Sequence, residues 1–160
     1  MIWASGHDIL PTMVYVTADH GGWLAKQTLV KFLRGRGLPV TDLGPSKRLH
    51  NDDYPPLAAR LGRVVRKTPG SFGIGICRSG VGMAMVANKI PGIRASQALT
   101  VSLARRARRE ENINVLSLAA DLQTLAEMKK IVMAWLQTSY RPIDRHRRRL
   151  HQVDRLDYGR

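Results

Sequence analysis

The chain is short of cysteine, of acidic residues and of aromatic side chains. Its 160 residues include one cysteine, which excludes an internal disulfide framework and lacks the companions of a structural zinc site. No apolar run approaches the roughly 20 residues that a membrane-spanning helix needs. The first twelve residues show no basic segment followed by an apolar core, so we expect no secretory signal and a cytoplasmic location.

The shortage of acidic residues leaves a large positive charge. Twelve Asp and Glu stand against 26 Lys and Arg, a formal net charge of +14. Such a field attracts anions, among them phosphorylated metabolites, nucleic acid and acidic lipid. Aromatic residues are only 6% of the chain, and no recognition motif accompanies the Arg-rich segment 104–114. We therefore interpret that segment as a solvated helix face and expect no nucleic-acid partner.

Short β-branched and apolar runs alternate with helical patterns along most of the chain. The pattern predicts five strands at the ranges 13–18, 38–43, 72–76, 93–96 and 115–118. Helical spacing predicts intervening helices, including 57–66, 83–89 and 99–109, and a last helix over 122–136. This alternation is typical of an α/β fold with a mostly parallel sheet. We divide the chain into an extension (1–12), one α/β domain (13–140) and a basic tail (141–160) with seven Arg and three Asp.

Three loops that follow predicted strands are where we expect functional residues, because ligands of parallel sheets bind beyond the carboxyl ends of the strands. One of them lies near Asp121, and the other two hold more candidate residues. The first is Asp19-His20-Gly21-Gly22, whose Asp and His suit acid–base or substrate-orienting roles; the alternative is a turn with a helix-capping Asp. The second is the segment 77–82, Cys-Arg-Ser-Gly-Val-Gly. Its glycines let backbone approach a ligand, and a helix start there favours an anion and a thiolate. The alternative is a buried, inert Cys77 beside a glycine turn.

A third segment, 52–55, reads Asp-Asp-Tyr-Pro. The paired carboxylates suggest a metal ligand set, but neighbouring carboxylates in a loop are more often solvated. No other grouping suggests a metal, and we expect neither a metal nor another cofactor.

In combination, these motifs resemble the family of ribose-5-phosphate isomerase B and the galactose-6-phosphate isomerase subunits. The similar segments are ADHGG at 18–22, DYP at 53–55, CRSGVGMAMVANKIPGIRA at 77–95, NVLSL at 114–118 and RHRRRL at 145–150. The similarity covers about residues 13–150. It implies a Rossmann-like three-layer α/β/α sandwich and an active site between two subunits of a homodimer or homotetramer. It also implies aldose–ketose isomerisation of a sugar phosphate through an enediolate.

The resemblance also assigns roles to individual residues. Cys77 occupies the position of the base, and Ser79 that of a hydroxyl that assists ring opening. Backbone N–H groups from Ser79 through Gly80 and Val81 to Gly82 correspond to an anion hole. The other expected substrate-binding residues are Asp19, His20, Tyr54, Arg78 and Asn112, together with Arg145 and Arg149 from the partner subunit.

Three positions depart from the family pattern. Glu110 stands where ribose-phosphate members have the ring-opening His, so we expect it to take that role in a changed form. Asp121 stands where an Arg contributes to phosphate binding in some members, and Arg78 replaces a Gly beside the base. The substrate is then expected to be a tetrose, a hexose or a different pentose phosphate. A non-catalytic or regulatory protein that binds a sugar phosphate or another polyanion is the alternative.

Overall fold

Five parallel strands form the centre of the protein. The computed structural model describes residues 11–157. The strands are β1 (Val14–Ala18), β2 (Val40–Asp42), β3 (Phe72–Cys77), β4 (Ala95–Gln97) and β5 (Val115–Ala119). Their order across the sheet is β2-β1-β3-β5-β4, and every neighbouring pair is parallel. The α/β class predicted from the alternation of elements is confirmed.

Helices cover both faces of the sheet. They are α1 (Trp23–Gly35), α2 (Tyr54–Lys67), α3 (Val81–Ala87), α4 (Val101–Glu111), α5 (Leu125–Leu136) and α6 (Asp144–Leu156). Residues of α1, α4 and α5 share one buried cluster with the sheet, whereas α2 and α3 pack on the opposite face. The result is the three-layer α/β/α sandwich that the resemblance implied. None of these helices is long and apolar enough to cross a membrane, within the residues described.

Alternating glycines in β3 bring α2 and α3 close to the sheet. A Cβ at Gly73 would stand 3.0 Å from Val65, and one at Gly75 would stand 3.3 Å from Met83. The intervening Ile74 and Ile76 point to the other face and are fully buried. This alternation places the end of β3, and therefore Cys77, directly beside the start of α3.

The structure differs from the predicted elements mainly at their ends. Helix α2 begins at Tyr54 rather than at residue 57, because Pro55 and Pro56 are tolerated in a first helical turn. Both edge strands are short, with three residues each. The predicted extension lies outside the described residues except for Pro11 and Thr12, and the Thr12 N–H donates to Gly70.

Most of the basic tail is helical, which the sequence did not predict. Helix α6 buries only His146 and Leu150, so its apolar stripe is too narrow to give a clear periodicity. The helix packs along its own chain near the end of α4, and Arg94 pairs with Asp154 at 3.3 Å. The exposed side chains of Arg145 and Arg149 lie four residues apart, on one face of α6.

Candidate active site

Cys77 is the last residue of β3 and is 4% exposed. Its sulfur accepts a hydrogen bond from the Gly80 N–H at 3.2 Å, and a donor aimed at sulfur favours negative charge there. The Val81 N–H donates to the Ser79 hydroxyl at 3.3 Å. The two backbone N–H groups therefore donate to the Cys77 sulfur and the Ser79 hydroxyl, the two side chains to which the resemblance assigns catalytic roles.

A sharp turn leads from Cys77 into α3, and neighbouring side chains hold it. Gly80 has φ +77°, a left-handed conformation that strongly favours glycine. The Ser117 hydroxyl donates to the Gly80 carbonyl, and the Gln97 amide donates to the Ser79 carbonyl. Sequence reasoning missed both contacts, because Gln97 belongs to no motif and Ser117, although it lies in the segment 114–118, was assigned no role.

The loop after β1 lies beside this turn. Asp19 is 6% exposed, and its Oδ1 accepts hydrogen bonds from the N–H groups of Gly21 and Gly22 at 3.0 and 3.1 Å. Desolvation by burial raises the pKa of Asp19, while those hydrogen bonds and the charge of His20 oppose the rise. The carboxylate thus organises the turn but does not cap α1, whose N-cap residue is Gly22 with no side-chain cap hydrogen bond. Asp19 follows β1 directly, at the carboxyl end of the strand, where ligands bind.

His20 is held by a carboxylate 32 residues away. Asp52 Oδ1 lies 2.6 Å from the His20 backbone nitrogen and 2.9 Å from its Nδ1. The other oxygen of Asp52 is buried and has no hydrogen-bond partner among the described residues. Asp52 therefore orients the imidazole, with Nε2 as the remaining ring nitrogen; the sequence analysis had considered this residue only as part of a carboxylate pair.

Tyr54 begins α2 and places its ring over the start of α3. A Cβ at Gly82 would stand only 2.6 Å from ring atoms of Tyr54. The ring also packs against the cluster that contains Cys77 and Met83. Tyr54 and Gly82 therefore lie close to Cys77.

Two residues of opposite charge, Arg78 and Asp121, follow the neighbouring strands β3 and β5. Arg78 Nη1 lies 3.6 Å from Asp121 Oδ2. Thus two of the three departures from the family pattern are in contact with each other.

The remaining predicted site residues lie at the opposite end of the strands, where the strands begin. Glu110 lies in the last turn of α4 and pairs with Arg106 at 3.3 Å, and Asn112 caps that helix in a left-handed conformation. The chain then enters the start of β5, where the Asn114 carbonyl accepts from Gly73 near the start of β3. At about 3.3 Å a residue, the length of β3 separates this end from Cys77 by roughly 17 Å.

Helix α6 belongs to the same distant end. The Arg141 N–H donates to the Arg109 carbonyl near the end of α4. Arg145 and Arg149 follow Arg141 within the next eight residues of the chain. A groove of about 450 Å³ between α6 and α4 also lies here, away from Cys77. One chain therefore contains two separate groups of predicted site residues, one at each end of its strands.

Within residues 11–157, no three side chains of the His, Cys, Asp or Glu type are grouped so that they could hold a metal ion. Asp52 binds His20, and Asp53 precedes α2 as its N-cap residue.

A parallel α/β/α sandwich with a cysteine, a glycine turn and an Asp–His pair at the carboxyl ends of its strands is an arrangement typical of α/β proteins that bind small molecules. The family model described as Ribose/Galactose Isomerase matches residues 14–153. The chain belongs to this family.

Individual relatives cover nearly the whole chain. A protein of Mycoplasma pneumoniae named probable ribose-5-phosphate isomerase B is 36% identical over 140 residues, which are 88% of this chain and 91% of that protein. A protein of Pectobacterium atrosepticum named D-erythrulose-4-phosphate isomerase is 34% identical over 127 residues, with 79% and 84% covered.

A solved structure shows the same fold. The crystal structure of ribose-5-phosphate isomerase B from Mycoplasma genitalium with bound ribulose-5-phosphate matches with a TM-score of 0.87 and 33% identity. The match covers 92% of this chain and 97% of that one.

Proposed function

We propose that the protein is an aldose–ketose isomerase that acts on a sugar phosphate, with Cys77 as the base. The observation that carries the proposal is the grouping of Cys77, Ser79, the His20–Asp52 pair and Asp19 at one edge of the sheet, in a chain of this family. Relatives named for a pentose phosphate and for a tetrose phosphate support the substrate class.

The chemistry follows from the residue types. The Cys77 thiolate takes the proton from C2 of the open-chain aldose, and the C–H electron pair forms the C1–C2 double bond of an enediolate. Negative charge then develops on O1, where nearby backbone N–H groups and His20 are suitable donors. The C2 hydroxyl proton moves from O2 to O1, and Cys77 returns the proton that it took from C2 to C1, which gives the ketose. The net reaction moves hydrogen within the substrate and consumes no co-reactant.

Ring opening must precede this step for a cyclic sugar. We assign it to Ser79 near the base and to Glu110, whose side chain is 24% exposed. A carboxyl can exchange protons with a sugar hydroxyl. Asp19 and Tyr54 are proposed to contact the sugar.

We further propose that the complete site forms between two copies of the chain. Glu110, Asn112, Arg145 and Arg149 lie too far from Cys77 to meet it within one chain, so a partner must supply them. The two exposed guanidinium groups, one helical turn apart, suit a phosphate.

Exposed apolar side chains near the Cys77 edge support a subunit contact there. Val81 and Met85, one turn apart on α3, are 55% and 54% exposed, and Leu99 and Leu103 at the start of α4 are 42% and 44% exposed. A homodimer or a homotetramer is compatible with this proposal, and we propose a cytoplasmic location.

The test is a panel of tetrose, pentose and hexose phosphates, with product isomers followed by NMR. We expect conversion of at least one substrate at a rate proportional to enzyme concentration. The control variant Arg63→Gln should keep the same activity, because Arg63 is an exposed residue of α2 outside the proposed site. Binding of a sugar phosphate without any conversion would favour the non-catalytic alternative.

A further inference from the structure

An ion pair crosses the carboxyl ends of two neighbouring strands, immediately beside Cys77. The Asp121 N–H donates to the Arg78 carbonyl at 2.9 Å, and the Ala120 N–H donates to the Cys77 carbonyl at 2.9 Å. These bonds continue the β3–β5 pairing beyond the sheet. They fix the two backbone positions from which the side chains of Arg78 and Asp121 meet at 3.6 Å.

The stem of Arg78 is also held on its other side. It lies across Gly21, where an added Cβ would stand 2.7 Å from Arg78 Cγ. The guanidinium therefore lies between the loop that carries His20 and the end of β5. Arg78 itself belongs to the turn that contains Cys77 and Ser79.

Stability does not account for this pair. The side chains of Arg78 and Asp121 are 67% and 54% exposed, and an exposed ion pair contributes little to folding. Within the described part of the chain, no hydrogen bond engages the guanidinium, although it carries five N–H donors. The donors of Arg78 are thus available to a ligand at the mouth of the site.

We propose that Arg78 binds the phosphate group of the substrate and that Asp121, which pairs with the guanidinium, lowers its affinity for the anion. This inference rests on the proposed function only for the identity of the substrate. A guanidinium suits a phosphate because its planar donors match two phosphate oxygens. A carboxylate 3.6 Å away competes with the phosphate for the same cation, so its removal should strengthen anion binding.

The experiment titrates inorganic phosphate into the intact protein by isothermal calorimetry at fixed ionic strength. Arg78→Gln should weaken phosphate binding about tenfold, as for loss of a charged hydrogen bond. Asp121→Asn should strengthen it by about 1.4- to 5-fold, the range of an exposed ion pair. Asp121→Glu keeps the carboxylate and should leave the affinity near that of the natural chain.

Two controls separate this role from general charge effects. Arg63→Gln removes the same charge from α2 and should leave phosphate affinity unchanged. Asp121→Asn in the Arg78→Gln background should have no effect, because Asp121 acts through Arg78. The proposal is overturned if the Asp121 effect persists in that background, if Arg78→Gln behaves like Arg63→Gln, or if the natural chain binds no phosphate. The expected calorimetric pattern in a protein that converts no sugar would instead refute only the proposed function.

Discussion

Substitution of Gly82 by Ala should destabilise the protein through a single neighbour, the ring of Tyr54. The new Cβ would stand 2.6 Å from ring atoms Cε2 and Cζ, whereas ordinary van der Waals contact begins near 3.4 Å. The ring must therefore move by about 1 Å, and overpacking of this kind costs about 1–3 kcal/mol. We place the cost near the lower end because Tyr54 is only partly buried and can tilt toward solvent.

The sign of the effect should reverse when Tyr54 is absent. In a Tyr54→Ala background the methyl group meets no ring, and Ala is favoured over Gly within a helix by about 0.5–1 kcal/mol. Urea unfolding of the four proteins at pH 7 measures the free energies. Gly35→Ala is the control for the propensity alone, since a Cβ there has no neighbour within 4 Å. An equal loss of stability from Gly82→Ala in both backgrounds would refute the proposed contact.

The other predictions concern charge, ring opening and subunit assembly. Burial raises the pKa of Asp19 above its ordinary value of about 3.8, so the folded state loses free energy of folding as pH rises through the raised pKa and the carboxyl ionises. Below about 3.8 the carboxyl is protonated in both states and this loss is absent. Asp19→Asn should therefore raise the free energy of unfolding at pH 7, with a gain that shrinks toward pH 4; a variant that is less stable at pH 7 would contradict this. Glu110→Gln should lower kcat/KM for a cyclic pentose phosphate but spare a tetrose 4-phosphate, which cannot close a furanose ring; equal losses would remove Glu110 from ring opening. Cys77→Ala and Arg149→Ala should each be inactive, yet subunits mixed after unfolding should recover about a quarter of the activity if pairs form at random, and no recovery would contradict a site shared between chains.

The fold could be predicted because its signals are local. Each strand such as 72–76 is a short apolar run, and each helix on the sheet has an apolar stripe that matches its period. Helix α6 escaped prediction because it buries only His146 and Leu150. Its long Arg-rich run resembles a solvated tail when the chain is considered without its tertiary contacts.

The site could be predicted only in part, because some of its contacts join distant positions. The glycine turn after Cys77 has a recognisable pattern, and the resemblance placed His20 and Tyr54 near it. No pattern in the sequence links His20 to Asp52 or Gly80 to Ser117, since those hydrogen bonds depend on how the strands are ordered. The Arg78–Asp121 pair has the same origin: each residue departs from the family pattern, but only the β3–β5 neighbourhood shows that they meet.

Deuterium exchange at C2 of the substrate tests the role of Cys77 most directly. In D₂O, the active protein should incorporate deuterium from solvent at C2 of the aldose recovered from the reaction, as observed by proton NMR. Cys77→Ala should bind the same sugar phosphate with nearly unchanged affinity but lose the exchange by about 10²–10⁴-fold, the usual contribution of a positioned general base. Exchange at a near-normal rate in Cys77→Ala would show that another group removes the proton and would contradict the account.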